Sequence, residues 1–238
     1  MTDASTRAVP EVPTSTIYAT YGVGFASNGV AMMLKVVIPL WAIQLQFSAS
    51  EIGMAIGLMA AYFGGRVDTI IMRIVDMQLS FPAILVALLL VTILGKGVDK
   101  IIIALIAVQW AYYARTVRAT ALVERGKEYV EAARCLALST PRIVFRHLLP
   151  NCLPPLIVVG TVQTAHAIAL EATLSFLGIG LPQTEPSLGL LIANGFEYLL
   201  SNKYWISVFP GVALLITIVS INLVGDQLRD VLNPRLQK

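Results

Sequence analysis

Read for apolar runs between charged breaks, the chain shows four segments of bilayer-crossing length: Ile70–Leu94, Ile101–Leu122, Leu153–Leu181 and Trp205–Val224. A hydrocarbon core about 30 Å thick needs roughly 20 apolar residues in a helix. A fifth run, Tyr21–Leu45, is long enough but carries Lys35 and Pro39. Ile52–Phe63 is too short to cross at about 1.5 Å rise per residue unless it borrows neighbours. The runs are continuous, not alternating, so each satisfies its own backbone hydrogen bonds in lipid as a helix and not as a barrel strand. The pattern predicts an all-α, polytopic transmembrane bundle of five to six helices.

Polar residues punctuate these runs. Gly64-Gly65 and Gly178-x-Gly180 predict turns at helix ends, and Gly95–Lys100 a tight turn. Pro39, Pro82, Pro154, Pro155 and Pro210 predict kinks or helix starts. Gly178–Tyr204 predicts a longer loop whose Phe196, Tyr198, Tyr204 and Trp205 suit a bilayer interface. Residues 1–20 predict a disordered polar tail: Asp3, Arg7 and Glu11 alternate with Pro10 and Pro13, unlike a cleavable leader.

Composition agrees with the pattern. Apolar residues make up 57% and charged residues 13% of the chain, and the mean hydropathy is +0.77, which excludes an ordinary soluble domain. The lipid bilayer is an expected partner and nucleic acid is not. Cys135 and Cys152 form no metal-ligand pattern, so no metal site is expected and the thiols are read as reduced.

The seventeen Lys and Arg residues set the orientation. Arg66 and Arg73 flank one short loop, Arg115 to Arg146 contribute seven cations to a central island, and Arg229, Arg235 and Lys238 close the chain. Only Lys96, Lys100 and Lys203 fall in the opposite loops. By the positive-inside rule the island and the C-terminus are cytoplasmic. Six crossings would place the N-terminus inside as well, and five would place it outside.

The island, 128–150, carries the strongest chemistry. Glu128–Ala137 has good helix formers, with Val130, Ala133 and Ala137 spaced for one face. Ser139-Thr140-Pro141 offers a capping hydroxyl before a proline suited to a first helical position. A second helix should start at Pro141 and end by Leu149, because Pro150 disfavours helical geometry before it. The prediction is a helix–corner–helix presenting Glu131, Arg134, Arg142 and Arg146, with Ala132 and Ala133 small enough to admit a partner's surface. An amphipathic hairpin resting on anionic lipid fits the same charges.

At these residues the chain resembles the membrane-spanning permease subunits of bacterial ABC importers. Glu131-Ala132-Ala133, then Ala137, then His147-Leu148-Leu149-Pro150 is similar to that family's cytoplasmic signature. Met72-Arg73-Ile74-Val75-Asp76 with Ser80-Phe81-Pro82, and Leu174-Ser175-Phe176-Leu177-Gly178 with Phe209-Pro210-Gly211 and the ending Asn222–Asp230, resemble the dipeptide, oligopeptide and nickel branch. The resemblance covers about 53–238.

It implies a permease core over 65–238 with a cytoplasmic coupling loop at 124–150, in the inner membrane. Glu131, Ala132, Ala133, Ala137, His147, Leu149 and Pro150 would engage a separate ATP-binding ABC subunit. A second permease subunit and an external solute-binding protein complete the implied assembly. No residue is assigned a catalytic role and no cofactor is expected on this chain: it has no phosphate-binding Gly-x-x-x-x-Gly-Lys-Ser/Thr loop, so ATP would sit on the partner.

Two features depart from the family. Ala137 stands where a glycine is usual, which costs roughly 1 kcal/mol or more if the corner needs a left-handed residue. The atypical membrane segments of 21–64 faintly resemble the opening of a major facilitator transporter, so a fusion or deletion joining near Gly57 is expected there.

Ionisable groups inside spans are expensive and are read as functional. Lys35, Asp76, His166 and Glu171 qualify. Asp76 is expected to pair locally with Arg73 one turn away. His166 and Glu171 share a helix and face the bundle, where they either line a pathway or hold hydrogen bonds. Competing functions are a proton-coupled secondary transporter fragment, which lacks the repeat such proteins need, an intramembrane protease, whose paired aspartates have no match here, and a non-functional fusion product.

Overall fold

A computed structural model describes residues 38–232, with side chains from Ala49 onward. The proposed tail, Lys35, Arg235, Lys238 and most of the Tyr21–Leu45 run lie outside the described residues. A compact unit begins at Leu40. Among the described residues every regular element is helical.

Helix α1 (Ile38–Phe63) carries the Ile52–Phe63 piece to a full 26 residues by borrowing the neighbours in front of it. It stops at Gly64 and Gly65, whose φ values of 63° and 55° lie in the left-handed region that glycine occupies without a Cβ penalty. Gly53 and Gly57 lie one turn apart against the helix that carries Trp110 and Ala114. A Cβ on Gly53 would fall 2.7 Å from the Trp110 carbonyl, and one on Gly57 would fall 2.6 Å from that of Ala114. Small residues at this spacing let the two backbones approach closely.

The Ile70–Leu94 run is broken, contrary to its reading as one crossing. Helix α2 (Gly65–Ser80) and helix α3 (Ala83–Leu94) meet at 88°. Pro82 has no N–H to continue α2 and pushes Phe81 into the extended region, at φ −90° and ψ 140°. Arg66 and Arg73 therefore lie on a helix and do not flank a loop.

Helix α4 (Val98–Arg125) is the centre of the bundle. Its Ala111 and Ala114 pack on Val75 of α2, and its Ile101, Ala104 and Leu105 pack on Ala87 and Val91 of α3. Asp76 pairs with Arg115 of α4 and not with Arg73. Asp68 receives Arg118 in a two-point ion pair, with the second bond at 2.5 Å. Gln78 donates to the Ala107 carbonyl at 3.1 Å. These polar contacts fix how α2 lies across α4.

After the island, helix α7 (Leu149–Phe176) follows. The expected Gly178–Tyr204 loop contains helix α8 (Leu188–Phe196) and a short 3-10 turn at Leu199–Ser201. Helix α9 (Trp205–Leu232) ends the described chain. Gly189 brings α8 against α7, where a Cβ would meet the Ala172 carbonyl at 2.2 Å. Among the described residues Thr140–Phe176 and Trp205–Leu232 are long and apolar enough to cross a bilayer, and the bent α2–α3 pair is a third if taken as one broken span. With α1 and α4, each of sufficient length, these elements make the expected all-α bundle.

Candidate functional site

The island is anchored before it begins. Arg125, the last residue of α4, donates to the carbonyls of Ala61 at 2.7 Å and Tyr62 at 3.3 Å, capping the open end of α1 with a cation, as a helix C-terminus favours. Glu124, largely buried, receives Lys127 at 2.6 Å and the Tyr129 hydroxyl at 2.7 Å. Burial raises the Glu124 carboxyl, but these two donors outweigh it and hold it below its ordinary value. Burial and the Glu124 bond push the Tyr129 hydroxyl up to about 12.

Helix α5 (Glu128–Cys135) then runs with Val130 and Ala133 buried against Tyr113, Val117, Ile143 and Leu148. Ala133, at 4% exposure, is thus part of the core and presents nothing to a partner. Glu131 and Ala132 face outward. The helix ends two residues short of the expected Ala137, because Ala137 is the corner. Its φ of 52° is left-handed, and its N–H bonds the Arg134 carbonyl while that of Leu138 bonds Ala133, the arrangement of a glycine-type C-cap built without glycine.

Helix α6 (Thr140–Ile143) restarts the chain with Pro141 in its first turn. Ser139 occupies the N-cap position, but its hydroxyl makes no capping bond. The Thr140 hydroxyl instead meets that of Tyr62 at 2.8 Å. The helix does not stop at Leu149. A π-turn over Val144–Leu148, in which Leu149 bonds back five residues to the Val144 carbonyl, leads without a break into α7. A wider turn immediately before Pro150 absorbs the donor that proline lacks, and the Asn151 side chain bonds the His147 carbonyl at 2.7 Å. His147 and Leu149 are half-buried, and Pro150 is exposed.

The expected residues are therefore divided. Glu131, Ala132, Ala137 and Pro150 form the outer surface, while Ala133 and Leu149 hold α5 and α7 to the core. Leu136 at 75% and Phe145 at 65% exposure flank the corner, and sequence reading missed both because an isolated Leu or Phe gives no sign of facing out. It also missed Glu124, Tyr129 and Asn151, whose bonds join residues of three different helices. Cys135 is exposed, Cys152 is buried, and the two are not joined.

A second feature lies between α3, α4 and α7. A cavity of about 480 Å³ is lined by Ala83, Ile84, Gln109, Tyr112, Gln163 and His166 among others. His166 thus faces a cavity, as one of its two expected roles requires, with its Nδ1 3.0 Å from the Gln163 Oε1. Glu171 does not line it. It is buried, receiving Ser175 at 2.6 Å and Ser187 at 2.9 Å, so it ties α7 to the start of α8. No cluster of His, Cys, Asp and Glu suited to a metal occurs among the described residues.

The pattern of one family, described as a binding-protein-dependent transport system inner membrane component, matches residues 53–238. A peptide transport system permease of Brucella suis is 46% identical over 201 residues, covering 84% of this chain and 67% of the relative. The D,D-dipeptide permease of Escherichia coli K12 is 40% identical over 187 residues, covering 79% and 62%, and the dipeptide permease of Bacillus subtilis is 37% identical, covering 79% and 58%. The chain thus spans about two thirds or less of these relatives' length. Among solved structures, a methionine ABC transporter chain in an inward-facing conformation superposes with a TM-score of 0.62 at 22% identity, covering 85% of this chain and 98% of that one. An amino acid ABC transporter chain superposes at 0.54 and 15% identity. Both likenesses concern the fold.

Proposed function

We infer the function from the premise that this chain belongs to the family of binding-protein-dependent inner membrane transport components, multi-pass proteins of ABC importers. It is the permease subunit of an ATP-driven importer of short peptides. It forms half of the translocation pathway with a second permease subunit, receives its cargo from an external solute-binding protein, and holds no ATP of its own. Its relatives are peptide and dipeptide permeases, which is what supports that cargo. The island and the C-terminus face the cytoplasm, following the charge distribution.

The observation that carries the coupling role is the corner. Helix α5 stands between a root fastened to α1 and α4 and a continuous path into α7, with Glu131, Leu136 and Phe145 facing out. A push on α5 reaches α7 across the corner, through the packing of Val130 and Ala133 with Leu148 and the bond of Asn151 to Tyr129. Exposed apolar side chains beside a charged rim are what a protein partner covers. A lipid-resting hairpin needs no such fastening at its root.

Co-expression with the candidate ATPase and sister permease tests this. Glu131→Lys should reduce ATPase co-purification and abolish peptide-stimulated ATP hydrolysis, and a bifunctional thiol reagent should link Cys135 to the ATPase. Unchanged assembly and hydrolysis in Glu131→Lys, with no cross-link, would overturn the coupling role.

A further inference from the structure

The cavity between α3, α4 and α7 contains an unsolved hydrogen-bonding problem. Gln163 is 3% exposed, and among the described buried side chains its Nε2 is the polar atom with no hydrogen-bond partner. The Gln163 Oε1 faces His166 at 3.0 Å, and Gln109, itself 4% exposed, donates its Nε2 to the Gln163 main-chain carbonyl at 3.2 Å. A buried amide N–H without an acceptor is costly, and that cost is recovered when a group arrives to accept from it.

The lining describes that group. The cavity volume, about 480 Å³, lies in the roughly 300–1,000 Å³ range of small-molecule sites. Its walls include Ala83, Ile84, Val108 and Leu170, and no Asp, Glu, Lys or Arg lines it. Its floor, Gln109 and Gln163, is buried, whereas Tyr112 and His166 are exposed, so the cavity opens past them. Neutral donors and acceptors over an apolar wall recognise a neutral polar group, not a charged terminus or side chain.

We propose that Gln109, Gln163 and His166 form a recognition step for the backbone amide of a short peptide, in which Gln163 donates to the peptide carbonyl. The proposal rests on the permease reading above and adds to it the chemical group that is read during passage. Because the peptide bond is common to every such cargo, this step is indifferent to side chains, and the side chains are accommodated by the apolar wall.

The test is dialanine uptake by proteoliposomes holding the complete transporter with its binding protein. Gln163→Met keeps the length and removes the donor, and uptake should fall about five- to tenfold, the factor for one lost hydrogen bond of about 1 kcal/mol or slightly more, while ATP hydrolysis continues and more ATP is consumed per dialanine carried. His166→Leu alters an exposed residue and leaves the fold intact. It should lower uptake about threefold or more by releasing the Gln163 amide. Wild-type uptake in His166→Leu and in Gln163→Met overturns the proposal while leaving the permease reading standing. Loss of the sister permease from the purified Gln163→Met complex also overturns it, since the missing acceptor is then a protein group. A wild-type complex that hydrolyses ATP but carries no dialanine removes the peptide reading itself, and this step with it.

Discussion

Asn151 donates its side-chain amide to the Tyr129 hydroxyl at 3.1 Å, joining the first turn of α7 to the first turn of α5 across the corner. Tyr129 passes the connection on to Glu124 at 2.7 Å, so three helices meet through one phenol. Movement of α5 cannot leave α7 behind without breaking this chain of bonds.

Tyr129→Phe and Asn151→Ala should each lower the stability of the purified protein by about 1 kcal/mol. The double variant should lose less than the sum, because the two residues share a bond. Thermal melting in detergent measures both, and peptide carried per ATP hydrolysed should fall in parallel in the assembled transporter.

The Tyr129 hydroxyl should titrate near pH 12, against an ordinary value of 10. The raised value means that the protonated phenol stabilises the fold fully below pH 10, and that this contribution disappears as pH rises through about 12. The absorbance difference between wild type and Tyr129→Phe, followed at the phenolate band, reports the midpoint. Glu124 has the opposite sign. Its depressed value contributes stability above the ordinary 4.5 that is lost as pH falls below it, so Glu124→Gln should flatten the acid side of the melting profile.

Ala137 holds a φ of 52°, a conformation that costs a residue with a Cβ about 1 kcal/mol or more. Ala137→Gly should therefore raise stability by up to about 1 kcal/mol, and Ala137→Val should lower it by more than that, since a β-branched side chain tolerates the conformation worse. Differential scanning of the two variants against wild type decides it.

Arg118 and Asp68 form a partly buried, two-point ion pair between α4 and α2. Arg118→Gln or Asp68→Asn should each cost about 2 kcal/mol, in the range for hydrogen bonds to charged groups, and a double-mutant cycle should show coupling of about 1 kcal/mol or more. The exposed pair of Arg115 and Asp76 should show less coupling, because water screens it.

Much of the island was legible from local chemistry. Val130 and Ala133 on one face, a stop near Ala137 and a restart at Pro141 all follow from spacing and proline, which act over a single turn. The failures involve partners far away in sequence. Asp76 takes Arg115, 39 residues on, in place of Arg73 one turn away. Pro150 does not end a helix: a π-turn carries the chain past it, with Leu148 and Cys152 on either side buried in the core.

The chain's own order of residues determined that the protein is helical and membrane-embedded, that helices break at Gly64 and Gly95, and that a charged corner interrupts them. Those properties depend on apolar length, on proline's missing donor and on residues a turn apart. Only the tertiary structure decided which side of each helix is inside. Packing turned Ala133 inward and Leu136 outward, brought Glu124, Tyr129 and Asn151 together, and left the Gln163 Nε2 without a partner beside a cavity. The physical reason is that burial and hydrogen bonding are properties of meeting surfaces, and helix periodicity does not specify which surfaces meet.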